Sequence, residues 1–107
     1  MRHLQVFALA LTAALAISAP GLAQSTGETV YKTKCQNCHG PTGLANAGIG
    51  KAMHVKPITD PAAAGMSEAE MIEATRVGMG KMQAYKGSLS EAEIRASVLY
   101  FRSFLKK

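Results

Sequence analysis

Two cysteines and a histidine stand together in the stretch Cys35-Gln36-Asn37-Cys38-His39, and they constrain this chain more than any other feature. On a helix, Cys35 and Cys38 are three positions apart and therefore lie on one side. Two thiols so placed can each add to a vinyl group on one edge of a porphyrin, while the adjacent imidazole reaches the iron. The motif predicts a covalently attached haem, with Cys35 and Cys38 as its attachment residues and His39 as the proximal iron ligand.

The two cysteines have an alternative use, as a redox-active dithiol or an internal disulfide. A thioredoxin-like CxxC lies near a β-α-β pattern, and no such pattern is visible in this sequence. The histidine directly after Cys38 favours haem attachment. A ligating His39 has to be neutral, and we expect its second ring nitrogen to donate to an acceptor, for which the downstream loop is a candidate source.

The first 23 residues have the layout of a secretory signal peptide. Arg2 gives a weak positive region, residues 4–17 are apolar and rich in alanine, and small residues lead to Ala23. Cleavage after Ala23 would leave residues 24–107 as one domain in the periplasm or otherwise outside the cytoplasm. The apolar run is short for a membrane-spanning helix, so we expect no membrane span after cleavage; an uncleaved anchor is the alternative.

Removing 23 of the 107 residues leaves 84, without tryptophan and with few other aromatic residues. A chain this small is marginal on core burial alone, and a buried haem would supply the missing apolar area. Without Arg2 the mature chain has 11 basic and 7 acidic residues, a net charge of +4. Its lysines lack the dense run and interleaved aromatic residues that would predict nucleic-acid binding. They form either a solvated surface or a patch that steers an acidic partner.

The first part of the mature chain is predicted as a helix followed by a long loop. The helix covers residues 27–37, with Thr26 as its candidate N-cap. Residues 40–61 are rich in glycine and proline, so we expect an irregular loop with one helical turn near residues 46–52. Such a loop wraps something or carries function, and a haem edge would account for it. Met53 and His54 lie in this loop and are further candidates to reach the iron.

Two Ser-x-x-Glu capping boxes predict the starts of two further helices. The first box, at Ser67 and Glu70, opens a helix that ends near Val77. The second box, at Ser90 and Glu93, opens the last helix. An apolar stripe on that helix recurs at four, three and four residues and should face the core. Its members are Ile94, Val98, Phe101 and Leu105.

A glycine-rich stretch, residues 78–82, separates these two helices and contains Met79 and Met82. Two glycines in three residues predict a loop whose backbone closely approaches something. A methionine thioether is a soft ligand suited to haem iron, and a histidine–methionine pair raises the reduction potential. Methionine is also an ordinary filler of cores. From the residues alone, both Met79 and Met82 are candidates for the sixth iron ligand.

Residues 27–105 resemble a small class I cytochrome c. The matching positions are Gly27, Tyr31, the CxxCH motif with Gly40, Gly80-Lys81-Met82, Leu89-Ser90, Ile94 and Tyr100-Phe101-Arg102-Ser103. The resemblance implies an all-α cytochrome c fold, with three to four short helices around one covalently bound haem c and with crossing first and last helices. It implies that Gly27 and Tyr31 meet the last helix there, and that Met82 is the distal iron ligand. One departure is Gln83, which stands where the family usually has proline.

The expected function is that of an exported monohaem cytochrome, a one-electron carrier between redox proteins and not an enzyme. Lys81 and Lys86 flank the ligand loop and are candidates for steering a partner with an acidic docking surface. Two alternatives belong to other classes. One is a haem subunit of a membrane-associated or periplasmic oxidoreductase complex. The other is a five-coordinate haem protein that binds small ligands or acts as a weak peroxidase.

Overall fold

A computed structural model describes residues 20–106, so most of the predicted signal peptide lies outside the described residues. The described chain consists of α-helices joined by loops, with no β-strand in this range. The helices are α1 (Pro20–Val30), α2 (Gln36–His39), α3 (Gly48–Ala52), α4 (Pro61–Ala64), α5 (Glu68–Val77) and α6 (Glu91–Ser103). A π-helical segment (Tyr31–Cys35) joins α1 to α2, and a 3₁₀-helix (Phe104–Lys106) follows α6. No helix within residues 20–106 has the length and apolar character needed to cross a bilayer.

The first helical stretch is longer than predicted. It runs from Pro20 through α1, the π segment and α2 to His39 without a break. Thr26 therefore lies inside the helix and is not its N-cap, which corrects the prediction. In the π segment the Gln36 N–H donates to the Tyr31 carbonyl, five residues back, which widens the helix just before the CxxCH histidine.

The first and last helices cross at a glycine. A Cβ atom at Gly27 would overlap the Ala96 carbonyl of α6, so only glycine permits this approach. One turn further along, Tyr31 is 1% exposed and packs against three rings of the last helical stretch. These are Tyr100, Phe101 and Phe104, at centroid distances of 5.3, 5.9 and 5.4 Å. The predicted all-α fold with crossing terminal helices is confirmed.

Helix α6 carries both halves of its predicted capping box. The Glu93 N–H donates to the Ser90 hydroxyl at 3.1 Å, and the Ser90 N–H donates to the Glu93 carboxylate at 2.9 Å. Ile94 and Val98 of the predicted stripe are 0% and 4% exposed. Leu105 is 37% exposed, because the backbone has changed to 3₁₀ geometry, with three residues per turn, before the stripe reaches it.

Helix α5 begins and ends where the sequence predicts. The Ser67 hydroxyl accepts from the Glu70 N–H at 3.1 Å, and Gly78, with φ at +84°, follows the last helical residue. Helix α3 is the predicted turn near residues 46–52. Helix α4, which was not predicted, begins at Pro61 at the end of the segment expected to be irregular, and Asp60 caps it.

Candidate haem site

A cavity of about 860 Å³ lies beside the CxxCH motif. Its volume is toward the upper end of the range for small-molecule and cofactor pockets, about 300–1,000 Å³. Its wall comes from the first helical stretch, the loop after α3, helices α5 and α6, and the loop between them. Apolar wall residues include Tyr31, Val55, Met71, Ala74, Val98 and Phe101.

Cys35 and Cys38 both line this cavity and are partly buried. They are not joined in a disulfide. Burial, with a smaller contribution from the nearby Cys38, raises the pKa of the Cys35 thiol to about 11. Without attached haem, Cys35 is therefore a protonated thiol at neutral pH. The two sulfur atoms are presented to the same space, as attachment to one porphyrin edge requires.

His39 lines the cavity at the end of α2. Its ring lies 4.9 Å from the Phe101 ring, and its Nδ1 is buried without a hydrogen-bond partner among the described residues. Burial lowers the pKa of His39, which favours the neutral imidazole that metal binding requires. The acceptor expected from the downstream loop is not found for Nδ1. The loop instead bonds to the His39 main chain, since the Ala45 N–H donates to its carbonyl at 3.0 Å.

Met79 and Met82 face each other across a tight turn, and both line the cavity. The Met79 N–H donates to the Met82 carbonyl at 3.1 Å, and the Met82 N–H donates to the Met79 carbonyl at 2.9 Å. The two residues differ in burial. Met82 is half-buried and packs against the core cluster that contains Tyr85 and Leu89, whereas Met79 is 58% exposed.

Comparison with known proteins identifies the kind of site. Residues 22–101 match the sequence model of the family described as cytochrome c oxidase, cbb3-type, subunit III. The chain belongs to this family of c-type cytochromes. Among solved structures it is similar to the KustC0563 c-type cytochrome, with 28% sequence identity and a TM-score of 0.65, over 73% of this chain and 95% of that one. No curated protein sequence matches the chain.

A c-type cytochrome binds its haem covalently, so this chain carries haem c and iron, as the motif predicts. The cavity fits that group. Two thiols, two imidazoles and five methionine thioethers line one largely apolar space. Thioether and imidazole are ligands of haem iron, and the buried Nδ1 of His39 has no hydrogen-bond partner among the described residues.

One supporting contact of the cytochrome site was not predicted. Tyr85, 9% exposed, follows the methionine turn and donates its hydroxyl to the Lys34 carbonyl at 3.0 Å. Its N–H donates to the Thr75 carbonyl of α5, also at 3.0 Å. Tyr85 thus joins the loop that carries Met82 to the segment that carries Cys35. The two residues are 51 positions apart in sequence, and no local pattern reports such a contact.

The loop before α4 contributes to the cavity wall, as expected for a segment that wraps a cofactor. Met53 and His54 both line the cavity, and His54 adopts a positive φ of 55°. Three lysines also line it: Lys34, Lys56 and Lys81. No acidic residue lines the cavity within the described part of the chain, so the charged side chains of its wall are all lysines.

Proposed function

We propose that this cytochrome is an exported one-electron carrier whose iron is bound axially by His39 and Met82. The observation that carries the proposal is the half-buried position of Met82 in the wall that also holds Cys35, Cys38 and His39. Bound haem supplies a reversible one-electron iron couple. Side chains in both axial positions would leave no open position for a substrate, which favours a carrier over a catalyst.

Each proposed ligand has a distinct role. The thiols of Cys35 and Cys38 would hold the haem by adding to its two vinyl groups, each sulfur bonding to one vinyl carbon while the thiol proton passes to the other. These thioethers hold the group in place independently of the iron. His39 supplies a neutral nitrogen, and Met82 a soft sulfur that raises the reduction potential. The apolar wall formed by Val98 and Phe101 limits the access of water.

The exported location rests on the predicted signal peptide, residues 1–23. Mass spectrometry of the holoprotein purified from its native source tests it. We expect a mature chain that begins at Gln24 and carries one haem. A chain that retains the apolar residues 4–17 would instead indicate an anchor.

Lysines at the cavity wall support docking of a redox partner with an acidic surface. Replacing both Lys81 and Lys86 by glutamate should lower the association rate with such a partner and weaken its dependence on salt. Lys51→Glu/Lys106→Glu is the matched control, since it changes the net charge by the same amount at two lysines that neither line the cavity nor flank the loop of Met82. Equal effects of the two changes would indicate that only net charge matters.

The ligand assignment is tested by optical and redox titration of Met82→Ala beside Met79→Ala. Met82→Ala should weaken the thioether–iron charge-transfer band and lower the reduction potential, because a soft sulfur ligand stabilises reduced iron. Met79→Ala should leave both unchanged. If Met79→Ala has the larger effect, the assignment of Met82 is wrong.

A second candidate function is that of a haem subunit in an oxidoreductase complex. The observation in its favour is the family's description as a subunit of an oxidase. Gentle purification from the native source discriminates between the two. A subunit would copurify with partner chains in a fixed ratio, whereas a carrier would separate from them at moderate salt, since transient redox interfaces are small.

A further inference from the structure

We propose that Met79 is a second axial ligand, which takes the sixth position of the iron whenever Met82 leaves it. This inference rests on the proposed His39–Met82 ligation and deepens it. It assigns a role to a methionine that is 58% exposed and yet lines the cavity.

The first argument is the geometry of the turn. Met79 and Met82 exchange both of their main-chain hydrogen bonds, at 3.1 and 2.9 Å, and so form a hydrogen-bonded antiparallel pair. Residues in such a pair have Cα atoms about 5.5 Å apart and direct their side chains to the same face. That face is the cavity, since both residues line it. The turn therefore presents two thioethers to one space.

The second argument is the way in which the turn is attached. Gly78 and Gly80 have positive φ values of 84° and 58°, and a Cβ atom on Gly80 would contact nothing within 4 Å. The Tyr85 N–H to Thr75 carbonyl bond holds the loop just after the turn. Gly78 lies outside the Met79–Met82 pair, so a tilt there and at residues 83–84 would move the turn as a unit while this bond and the pair stay intact. An unbranched methionine side chain with three rotatable bonds can follow such a tilt.

The difference in burial sets the order of the two ligands. Met82 packs against the core cluster and is the resting ligand, while the exposed Met79 is the reserve. In the exchange one iron–sulfur bond breaks and another forms, and no electron or proton moves. The reserve thioether restores histidine–methionine ligation after each opening of the loop, and so limits access of small ligands to the iron.

The test compares four variants of the purified holoprotein, Met79→Ala, Met82→Ala, Met79→Ala/Met82→Ala and Met53→Ala/Met82→Ala. The readouts are the charge-transfer band of the oxidised form and the rate of CO binding to the reduced form. We expect a weakened but measurable band in Met82→Ala and its complete loss, with faster CO binding, when Met79→Ala is added. The double variant with Met53→Ala is the matched control, since it removes another cavity thioether, and should behave like Met82→Ala alone.

The outcomes separate this inference from the ligand assignment on which it rests. If Met82→Ala lacks the band as completely as Met79→Ala/Met82→Ala does, Met79 is not a reserve ligand, although Met82 remains the ligand. If adding Met53→Ala abolishes the residual band, Met53 is the reserve and the inference is wrong. If Met79→Ala alone abolishes the band, the assignment of Met82 itself fails.

Discussion

The His39 side of the cavity is helical, whereas the Met82 side is a turn. His39 ends a helical stretch that is packed against α6 through Gly27 and Tyr31. Met82 lies in a loop joined to α5 by main-chain hydrogen bonds, such as Gly78 N–H to the Ala74 carbonyl at 2.9 Å. The first side is anchored by Tyr31, which is 1% exposed, whereas the second has an exposed tip, with Met79 58% exposed.

This difference predicts different roles for the two sides of the cavity. With the proposed site residues, the CxxCH helix would fix where the haem sits, because Cys35, Cys38 and His39 are on one packed element. The turn would then determine how firmly the sixth position is closed, because its tip is exposed. Local opening is easiest where buried apolar contacts are few. We therefore expect changes on the helical side to affect folding and haem retention, and changes on the turn side to affect ligation.

Loss of His39 should have the largest effect. His39→Ala removes the proposed proximal ligand from the packed side, and holoprotein should fail to accumulate or should lack a native low-spin spectrum. Met82→Ala should still give folded holoprotein with a lower reduction potential, because the packed side is intact. Haem staining of denaturing gels and optical spectra measure both. Equal loss of holoprotein in the two variants would contradict the comparison.

The helix crossing provides the next test. Gly27→Ala forces a Cβ atom against the Ala96 carbonyl, and overpacking of this kind costs about 1–3 kcal/mol of unfolding free energy. Gly87→Ala is the matched control, since a Cβ atom there meets nothing within 4 Å. Chemical denaturation should show the loss only for Gly27→Ala, with the charge-transfer band unchanged in the native state. If Gly27→Ala lost the charge-transfer band but kept its unfolding free energy, the helix crossing would instead be needed for iron ligation.

The same contrast explains how far the sequence predicts this structure. Cys35, Cys38 and His39 form a local motif, and their joint position on one cavity follows from helical spacing alone. The sequence favoured Met82 over Met79 only through the resemblance to a known family, because both methionines lie in the same glycine-rich stretch and offer the same ligand atom. The burial of Met82 comes from packing against a core cluster that includes the distant Val30. No local sequence pattern predicts that packing.

Other differences have similar causes. The N-cap predicted at Thr26 was wrong because the residues before it, from Pro20 onward, are already helical. The π segment begins at Tyr31, which packs against a helix far along the chain, and the sequence analysis did not predict it. Helix α4 was missed although a local signal exists, since Asp60 followed by Pro61 is an N-cap with proline at the first helical position.

Two tyrosine hydroxyls allow the two sides to be compared with the same chemical change. Tyr31 donates to the Gly40 carbonyl at 2.6 Å, and Tyr85 donates to the Lys34 carbonyl at 3.0 Å. Replacing either by phenylalanine should cost about 0.5–1.5 kcal/mol, the usual net value of one hydrogen bond. Of the two variants, only Tyr85→Phe should also speed CO binding to the reduced protein, because the Tyr31 hydroxyl does not bond from the loop of Met82. Faster CO binding in Tyr31→Phe would show that the helical side also controls the sixth position.

The smallest expected effect concerns the caps of α5 and α6, and it depends on pH. Hydrogen bonds from the Ser90 backbone and hydroxyl lower the pKa of Glu93 below its ordinary value of 4.5. The unfolded chain therefore binds a proton at higher pH than the folded chain does, so this stabilisation is present above about pH 4.5 and is lost as the pH falls through the lowered pKa.

Glu93→Gln should accordingly reduce the acid dependence of unfolding free energy, measured by urea denaturation at several pH values. Glu70→Gln is the control on α5, where the carboxylate accepts from the Ser67 hydroxyl at 3.0 Å instead of completing the box through the N-cap N–H. The change on α6 should have the larger effect, because α6 contacts both α1 and α5 and so supports both sides of the cavity. If the unfolding free energy changed equally with pH in the two variants, closing the capping box would add no pH-dependent stability.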